Sequence, residues 1–427
     1  MGKQTIYRTK FHNLEDLDRR SIQHCMQCGN CINDVRAAVG VFGGCPMADH
    51  TPALEPMVPR GRMMVIRGLL EGELEPTQEL VNDVFKCTTC NNCNEICHNG
   101  WHEMVSFSAD RYNDHANVWE ALRADLIEQG FEHLPGHEMV LKSLKDYDNP
   151  WQQPRRARAN WARKLNIKEL SNDQEQAEVL YFVGCTGALD ANLRKVSIAT
   201  AKILQAAKVD FGILGQDELC CGSIGIRLGE RDYFKKIAKQ NVERLNNLYE
   251  KSGVKTIVTS CSGCFKTFFQ DYPEYADEIG SIKPEILHTT QYIKRLVDEG
   301  KIKFNEMNAN VTYHDPCHLA RHVHLFETPR ELIKAVPGIN FVEMNRNRNL
   351  SRCCGAGGGV KSGFGDLAAK ISQDRLEEAE ATGSEYLITT CPFCEQNFND
   401  GVTARGSSLK IVDLLELLSE VCQDTGK

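Results

Sequence analysis

The chain has 427 residues, 41% of them hydrophobic and 25% charged, which is enough apolar material for two to three domains of about 150 residues each. Its formal net charge of −8, from 50 basic and 58 acidic residues, argues against nucleic acid as the main partner. No stretch approaches the ~20 apolar residues that span a bilayer, and the amino-terminal residues lack a signal-peptide core. We therefore expect a cytoplasmic protein without a transmembrane segment of its own, reaching the inner face of a membrane only through a partner.

Cysteine is the residue type that stands out, with 19 copies. In a reducing cytoplasm this number indicates metal or redox chemistry rather than disulfide bonds. Tight C-x-x-C runs occupy residues 25–97, and a longer pattern occurs twice between residues 185 and 394. Between them lie a cysteine-free helical stretch, roughly 101–147, and a segment rich in proline and arginine, which predicts a domain linker at 149–175.

The two early runs predict a pair of [4Fe–4S] cubane clusters. The second run, Cys87-x-x-Cys90-x-x-Cys93-x-x-x-Cys97, matches the ferredoxin pattern, with His98 in place of the usual proline. The first run, Cys25-x-x-Cys28-x-x-Cys31, has Val35 at the usual fourth position, and Cys45-Pro46 follows after ten extra residues.

The ferredoxin match implies which cysteines share a cluster, because the fourth cysteine of one run there ligates the cluster of the other run. One cubane is then expected to bind Cys25, Cys28, Cys31 and Cys97, and the other Cys45, Cys87, Cys90 and Cys93. Zinc is the alternative for paired C-x-x-C motifs, but a triple run differs from a zinc site of two pairs. Flanking helical patterns, such as Thr77 to Phe85, predict an α-helical ferredoxin-like domain over 1–148.

The rest of the chain is an internal repeat of five cysteines. The first copy reads C-x34-CCG-x38-CxxC from Cys185 to Cys264, and the second reads C-x35-CCG-x35-CxxC from Cys317 to Cys394. Matching cysteines are offset by 132 (317 − 185), 133 (353 − 220) and 130 (391 − 261) residues. This register is too regular to arise by chance.

The secondary-structure pattern repeats as well. Runs typical of strands end just before cysteines in both copies, and helical patterns lie between them; the strands begin at Val179, Thr256, Val311 and Tyr386, and the helices cover 233–251 and 367–381. The pattern predicts two α/β domains, over 176–305 and 306–427, with the ligands beyond the carboxyl ends of the strands. The fold class expected for the whole chain is a multidomain α+β protein.

Five cysteines per copy are one more than a cubane needs, and two of them are adjacent. Neighbouring residues suit a more open cluster, in which some thiolates bridge two irons. Gly222 and Gly355, which follow the adjacent pairs, allow a positive φ or a close approach of the backbone to a cluster. The alternatives are a structural zinc site or thioredoxin-like dithiols in the C-x-x-C pairs, and the additional cysteines disfavour both.

The doubled motif resembles the cysteine-rich CCG domain of the heterodisulfide reductase family. The whole chain resembles the D-type subunit of that family, a fusion of the ferredoxin-like C-type subunit with the CCG-containing B-type subunit, and is similar to iron–sulfur subunits of glycolate, lactate and glycerol-3-phosphate oxidases. This resemblance implies two noncubane [4Fe–4S] clusters, one bound by Cys185, Cys220, Cys221, Cys261 and Cys264 and one by Cys317, Cys353, Cys354, Cys391 and Cys394. It also implies that a disulfide substrate is cleaved between these two clusters, with electrons supplied by the cubanes.

Three functional hypotheses follow. The leading one is a reductase for the disulfide of coenzymes M and B or a related disulfide. The second is a non-catalytic electron-transfer subunit of a flavin-dependent 2-hydroxy acid or glycerol-3-phosphate dehydrogenase that delivers electrons to a quinone or cytochrome, and the third is a metal-stabilised scaffold. No flavin or nicotinamide motif is present, so we expect an electron-donating partner: a membrane cytochrome b, a flavin subunit or a hydrogenase module.

Charged residues near the cysteines are candidates for holding an anionic substrate group, although solvated surface charge is the alternative for each: Arg227, His318, Arg321, His322, Arg352 and Lys361. The glycine-rich loop 355–359 favours backbone N–H donors to cluster sulfurs or substrate. Cys422 lies in an amphipathic helical pattern, so we expect it to be buried and inert.

Overall fold

The computed structural model describes residues 10–15, 17, 22, 25–32, 44–52, 55–97, 115–170 and 175–423. The sequence predictions that concern Val35, His98 and the first part of the helical stretch, 101–114, lie outside these residues. The chain forms two compact units. Unit 1 comprises Met1–Glu138, Ile224–Arg231 and Asn345–Arg375, and unit 2 comprises Met139–Ser223, Asp232–Met344 and Leu376–Lys427.

Helices dominate the described residues. In chain order they are α1 His12–Glu15, α2 Pro46–His50, α3 Pro59–Glu71, α4 Gln78–Val84, α5 Asn92–Ile96, α6 His115–Glu128, α7 Pro135–Tyr147, α8 Cys185–Leu189, α9 Arg194–Ala206, α10 Ser223–Arg227, α11 Arg231–Lys251, α12 Ser262–Lys266, α13 Tyr272–Glu274, α14 Ala276–Ile279, α15 Thr289–Asp298, α16 Glu327–Lys334, α17 Val360–Gly363, α18 Gly365–Glu380, α19 Pro392–Arg405 and α20 Leu414–Val421. Short 3₁₀ helices cover Glu55–Met57, Arg155–Ala159, Gly215–Asp217 and Arg348–Leu350. A π-helical turn at Thr267–Asp271 continues α12.

Local sequence signals define several helix ends in unit 1. Helix α3 begins with Pro59 in its first turn and ends before Gly72, whose φ of 74° is readily adopted only by glycine. Helix α4 begins after Thr77, whose side chain accepts a hydrogen bond from the Leu80 amide at 3.2 Å. The described part of this unit is therefore built from helices and the loops that carry the early cysteines.

Unit 2 contains the strands, which are β1 Lys168–Glu169, β2 Val179–Tyr181, β3 Phe211–Ile213, β4 Thr256–Thr259, β5 Glu285–His288, β6 Lys303–Phe304, β7 Ala309–Tyr313, β8 Ile339–Phe341, β9 Tyr386–Thr389, β10 Lys410–Asp413 and β11 Cys422–Gln423. The first sheet is parallel, in the order β1-β3-β2-β4-β5, and the second is parallel, in the order β10-β9-β7-β8. Strands β6 and β11 form a small antiparallel pair.

The two parallel sheets repeat one topology. The order β3-β2-β4-β5 in the first sheet corresponds to β8-β7-β9-β10 in the second. A side-chain pair repeats too: the Tyr181 hydroxyl lies 2.9 Å from Ser260 Oγ, and the Tyr313 hydroxyl lies 2.9 Å from Thr390 Oγ1. The cysteine repeat of the sequence is therefore also a repeat of structure.

One apolar core joins both sheets within unit 2. Val179 and Val311, from the central strands, are buried in it together with Leu417 of α20. Helix α20 packs on α9, whose Val196 is fully buried in the same core. Each such side chain contributes roughly 1.5–3 kcal/mol of hydrophobic stabilisation relative to an exposed position.

The expected α+β fold class, with a helical part and two repeated α/β parts, is confirmed. Part of the segment predicted as a linker belongs to the first sheet, because β1 pairs with β3. Cys422 differs from its expectation: it is half-buried, and it follows helix α20 as the first residue of β11. Among the described residues, every helix is either too short or too polar to cross a membrane.

Candidate iron–sulfur sites

A cavity in unit 1, whose empty space including open solvent is about 500 Å³, is lined by four cysteines that the sequence assigns to one cubane, namely Cys45, Cys87, Cys90 and Cys93. Cys45 directly precedes helix α2, and Cys93 lies in helix α5. The Asn92 side chain donates a hydrogen bond to the Gly44 carbonyl, which ties the two ligand loops together. The structure thus brings the displaced Cys45 to the run that begins at Cys87.

A second cavity in unit 1, whose empty space including open solvent is about 310 Å³, is lined by the four cysteines that the sequence assigns to the other cubane, namely Cys25, Cys28, Cys31 and Cys97. Arg60 lies on its wall and forms an ion pair with Glu55. Cys28 is exposed, and 66% of the neighbouring Met26 surface is accessible to solvent. This cavity therefore lies at the surface of the protein.

The two cysteine loops share an unusual backbone conformation. Gln27 and Thr89, each the last residue before a second cysteine, have φ of 57° and 48°. Gly29 and Asn91, each the first residue after that cysteine, have φ of 81° and 63°. The Thr89 amide points at Cys87 Sγ, at 3.4 Å. Positive-φ residues that alternate with other conformations are typical of loops whose amide groups bind an anion, and such a loop suits an anionic sulfur cluster.

The electrostatics of the cysteines in these cavities favour a metal centre. Burial raises the pKa of the Cys31 and Cys45 thiols to about 12. Arg62 is buried on the wall of the larger cavity and lies 4.6 Å above the Trp119 ring. Burial opposes its charge, yet the neighbouring Cys87 and Cys45 raise the pKa of its guanidinium. Buried thiolates require positive charge, which bound iron supplies.

The five cysteines of the first CCG copy come together in unit 2. Their thiols form a continuous series of contacts within hydrogen-bond reach, in the order Cys185, Cys220, Cys221, Cys264 and Cys261. Hydrogen bonds from Cys220 and Cys264 lower the pKa of the Cys221 thiol to about 6. A set of adjacent thiols, one of them readily ionised, is a donor set for a metal cluster.

Secondary structure and glycines position this first set. Cys185 begins helix α8 shortly after strand β2, and Cys261 follows strand β4. Gly184 has a φ of 77°, and a Cβ atom at this residue would lie 3.2 Å from Cys264 Sγ. Gly222 has a φ of 88°, and its amide donates to Cys220 Sγ at 3.4 Å. A side chain at Gly184 would intrude on the space around the Cys264 sulfur, and one at Gly222 would collide with Phe234 and Ile237.

A buried ion pair borders the first set. The Arg158 guanidinium donates to Cys185 Sγ at 3.1 Å and to Glu218 Oε1 at 3.1 Å, and both side chains are almost fully inaccessible. Glu218 in turn accepts the amides of Val183 and Gly184 at 2.8 and 2.9 Å. The sequence did not identify this pair, since the arginine-rich segment that contains Arg158 was assigned to the linker.

The cysteines of the second CCG copy lie in both units. Cys353 and Cys354 belong to unit 1, whereas Cys317, Cys391 and Cys394 belong to unit 2, so this second set remains a prediction. The Gly355 amide donates to Cys353 Sγ at 3.3 Å, as its counterpart does in the first copy. Within unit 2, the Cys391 thiol lies within hydrogen-bond reach of Cys261.

The candidate substrate-binding charges differ in their surroundings. Arg227 forms a buried ion pair with Glu120 at 2.6 Å. Arg352 forms ion pairs with Asp374, at 2.5 Å, and with Asp49. Both guanidinium groups therefore neutralise carboxylates of the protein.

The other candidates lie in various places. The ring of His318 packs edge-on against that of His322, with centroids 4.9 Å apart. A Cβ atom on Gly263 would lie 3.7 Å from both His318 Nδ1 and Cys261 Sγ, so this imidazole and a cysteine of the first set both border Gly263. Arg321 is buried and Lys361 is half-buried.

A helical part with two four-cysteine cavities and an α/β part with repeated cysteine motifs define an iron–sulfur oxidoreductase. Residues 21–101 match the 4Fe-4S dicluster domain family, and residues 179–269 and 311–399 each match the cysteine-rich CCG domain family. The chain is 34% identical to the D-type subunit of the dihydromethanophenazine:CoB–CoM heterodisulfide reductase of Methanosarcina mazei over 418 residues, 96% of each chain. It belongs to the family of heterodisulfide reductase D-type subunits and is an iron–sulfur protein with a role in electron transfer.

Two further similarities are more distant. The chain is 30% identical to the EtfAB:quinone oxidoreductase of Syntrophomonas wolfei over 353 residues, 78% of this chain and 46% of that protein. The crystal structure of a hypothetical protein from Helicobacter pylori superposes with a TM-score of 0.53, covering 87% of this chain and 70% of that one, at 9% sequence identity. At that identity the second similarity concerns the fold alone.

Proposed function

We propose that the chain is the disulfide-reducing component of a heterodisulfide reductase-type complex. The observation that carries the proposal is the complete first CCG set, whose five thiols interact in a continuous series and of which all but Cys261 are buried. A structural zinc site would need four ligands, and a dithiol of the thioredoxin type would need two. Five contacting cysteines favour an open iron–sulfur cluster over both.

The proposal assigns the cysteines to four clusters with the ligand sets given above, two cubane and two noncubane, on domains 1–148, 176–305 and 306–427. Bound clusters would supply one-electron transfer and, in the CCG part, iron sites for the two sulfurs of a disulfide. Reduction of the disulfide takes up two electrons and two protons, breaks the S–S bond and releases two thiols.

The protein residues of the first set hold and polarise its sulfurs. Arg158 donates to Cys185 Sγ, and a hydrogen bond from a cation stabilises negative charge on a ligand sulfur. Glu218 fixes that guanidinium and accepts two backbone amides, so it orients the loop that ends at Cys185. Cys185, Cys220 and Cys221 are each less than 9% exposed, so bulk water is excluded from their sulfurs.

A position for the substrate is supported by the contact between the two C-x-x-C motifs. Cys261 and Cys391 lie within hydrogen-bond reach of each other, although they belong to different copies of the repeat. A disulfide beside this pair would place its sulfurs next to ligands of both sets. His318, which borders Gly263 as Cys261 does, is a candidate to contact an anionic substituent of the substrate.

We propose the substrate from the name of a relative, and the partners from the cofactor motifs of the sequence. The Methanosarcina mazei relative is named for the CoB–CoM heterodisulfide, so we propose that disulfide or a related one as the substrate. Because the sequence has no flavin or nicotinamide motif, a partner has to deliver the electrons: a membrane cytochrome b, a flavin subunit or a hydrogenase module. The exposed cavity bounded by Cys28 is the entry point that we propose for them.

A second candidate function is electron transfer without disulfide turnover. The similarity to an EtfAB:quinone oxidoreductase favours it, since that protein is named for electron transfer to a quinone. In this case the CCG cysteines would hold clusters that only relay electrons.

Electron paramagnetic resonance of the oxidised, cluster-loaded protein with added thiols tests the proposal. Coenzyme M or coenzyme B is expected to induce a new signal, which Cys261→Ser abolishes and Cys422→Ser leaves unchanged. If neither thiol changes the spectrum while the protein still passes electrons to a quinone, the second function is correct.

A further inference from the structure

The residues that flank Cys353 and Cys354 lie in unit 1, together with the cavity bounded by Cys45 and Cys87. Two ligand loops border that cavity, one containing Cys45 and one containing Cys87. Each loop contacts residues of the second CCG motif, one on either side of its cysteine pair. These contacts belong to unit 1 alone.

The Cys87 loop contacts the chain that follows the pair. A Cβ atom on Gly357 would lie 2.7 Å from the Thr88 carbonyl oxygen, and one on Gly358 would overlap the Cys87 carbonyl oxygen. Gly358 also has a φ of 61°, so glycine is required there for both reasons. The glycine-rich loop thus brings the backbone of the second motif against the backbone of a predicted cubane ligand.

Arg123 of helix α6 connects the Cys87 loop to the glycine-rich loop. Its guanidinium is fully buried and donates to the Cys87 carbonyl at 2.7 Å and to the Gly358 carbonyl at 2.9 Å. It also donates to the Val84 and Arg227 carbonyls, at 2.9 and 2.7 Å. One cation therefore satisfies four backbone acceptors from three separate segments of the chain.

The Cys45 loop contacts the chain that precedes the pair. Arg352, the residue directly before Cys353, forms an ion pair with Asp49, four residues after Cys45. Asp374 pairs with Arg352 at 2.5 Å and with His50 at 2.7 Å. Cys45 and Met47 also share an apolar cluster with Ile371.

In the first motif, the residues that contact other parts of unit 1 lie farther along the chain from the cysteine pair. Its cysteine pair, Cys220 and Cys221, belongs to unit 2, and only the segment Ile224–Arg231 belongs to unit 1. The nearest described anchor in that segment is Arg227, which pairs with Glu120 and lies six residues after Cys221. In the second motif, Arg352 and Gly357 lie one and three residues from the pair.

We propose that Arg123 and Arg352 are positioning residues that hold the Cys45 and Cys87 loops against the second CCG motif, so that electrons enter the CCG part at Cys353 and Cys354. This inference rests on the proposed function, because it requires clusters at these cysteines. Each transfer oxidises the cubane site by one electron and reduces the second motif by one electron, and no bond changes. The original donor is a low-potential one-electron reductant.

The test measures electron arrival rather than disulfide turnover. Full-length, cluster-loaded protein is mixed with reduced ferredoxin, a protein donor that is too large to reach the buried CCG cysteines directly, and is frozen at intervals for electron paramagnetic resonance. The double variant Cys353→Ser/Cys354→Ser is expected to lose rapid reduction of the first motif. The double variant Cys220→Ser/Cys221→Ser is expected to retain rapid reduction of the second. Equal reduction of the remaining motif in both variants, or the reverse order, would overturn the proposal.

Point variants test the positioning residues. Arg123→Gln and Arg352→Gln are each expected to slow reduction of the second motif about tenfold or more, as outer-shell substitutions at metal sites do. Arg123→Lys should recover part of the rate. Glu120→Gln, which breaks a buried ion pair on the same helix, is the control and should leave the rate unchanged; slowing by Glu120→Gln alone would contradict the inference.

The electron-entry inference and the proposed function fail in distinguishable ways. If electrons arrive at the second motif first but no disulfide is reduced, the disulfide function is wrong and the entry order is retained. If a disulfide is reduced while both motifs receive electrons at equal rates, the entry order is wrong and the function is retained.

Discussion

The two CCG motifs have the same cysteine pattern but different surroundings. In both, the glycine after the cysteine pair has a positive φ, 88° at Gly222 and 96° at Gly355, and its amide donates to the first sulfur of the pair. Two residues before each pair, however, the first motif has Glu218, and the second has Ser351. Ligand geometry is thus repeated, and the charges around it are not.

The arginines near the two cysteine pairs therefore have different partners. The first motif has a buried cation, Arg158, directed at the Cys185 sulfur, and its carboxylate partner belongs to the same unit. In the second, Arg352 pairs with Asp49 beside the Cys45 loop instead. Because hydrogen bonds and charges near the sulfurs set the reduction potential of a cluster, the two motifs should differ in potential.

The largest expected effect concerns the predicted cubane site whose loops contact the second motif. Cys45→Ser removes a ligand from a buried four-cysteine cavity, so the protein should lose one cluster, or about four irons per chain. Iron and sulfide analysis of the purified protein measures this. Cys422→Ser, which changes a half-buried cysteine in β11, is the control and should bind the full amount. A full iron content in Cys45→Ser would show that Cys45 is not a ligand.

The next effect compares the stability that a buried arginine contributes near each cysteine pair. Arg158→Met leaves Glu218 buried without its cation, so the free energy of unfolding should fall by about 3–5 kcal/mol. At the second motif, Arg375 is also fully buried and donates to Ser351 Oγ at 3.0 Å. Arg375→Met removes hydrogen bonds to neutral acceptors and should cost about 1–3 kcal/mol. Denaturant titration of both variants measures the difference, and equal losses would remove the contrast.

A smaller effect tests the close approach of the glycine loop. Gly358→Ala places a Cβ atom against the Cys87 carbonyl at a positive φ, so it should lower the unfolding free energy by at least about 2 kcal/mol. Gly383 also has a positive φ, 71°, with no atom within 4 Å of an added Cβ. Gly383→Ala should therefore cost only about 1 kcal/mol. The same denaturant titration decides this, and equal losses would mean that the loop relaxes away from Cys87.

The smallest effect is a pH dependence at the same loop. Burial lowers the pKa of the His137 imidazole from 6.5 to about 4, and its Nε2 lies 2.9 Å from the Gly359 carbonyl oxygen. The unfolded chain therefore binds a proton in this pH range before the folded chain does, and stability falls as the pH decreases. Between pH 6.5 and pH 5 the loss from this group should be about 1.5 kcal/mol. His137→Gln should remove that part of the dependence; an identical pH profile in the variant would contradict this assignment.

Much of the site could be predicted from the sequence because cysteines that bind one cluster recur at characteristic spacings. The sequence located both repeats and the strands that precede the C-x-x-C motifs, since β-rich runs end next to the cysteines. It also assigned Cys45 to the later cysteine run, whose cavity it lines. The ligand assignment itself stays a prediction that iron analysis can test.

The surroundings of the cysteines could not be predicted in this way. Arg158 lies 27 residues before Cys185, and Asp49 lies 303 residues before Arg352, so neither contact leaves a local pattern. Arg352 is a candidate for substrate binding because of its charge and its position beside the second cysteine pair, but the sequence does not reveal its ion pairs with Asp374 and Asp49. Gly358 belongs to a glycine run that is visible in the sequence. The sequence does not show, however, that the Cys87 carbonyl leaves no room for a side chain there.

Disulfide-dependent oxidation of a reduced viologen by the anaerobic, cluster-loaded protein tests the central claim most directly. We expect the disulfide of coenzymes M and B to be reduced with two electrons consumed per molecule. Loss of either CCG pair, by Cys220→Ser/Cys221→Ser or Cys353→Ser/Cys354→Ser, should abolish turnover. A fully loaded protein that reduces no disulfide yet transfers electrons to a quinone would contradict the claim that the CCG cysteines form a disulfide-cleaving site.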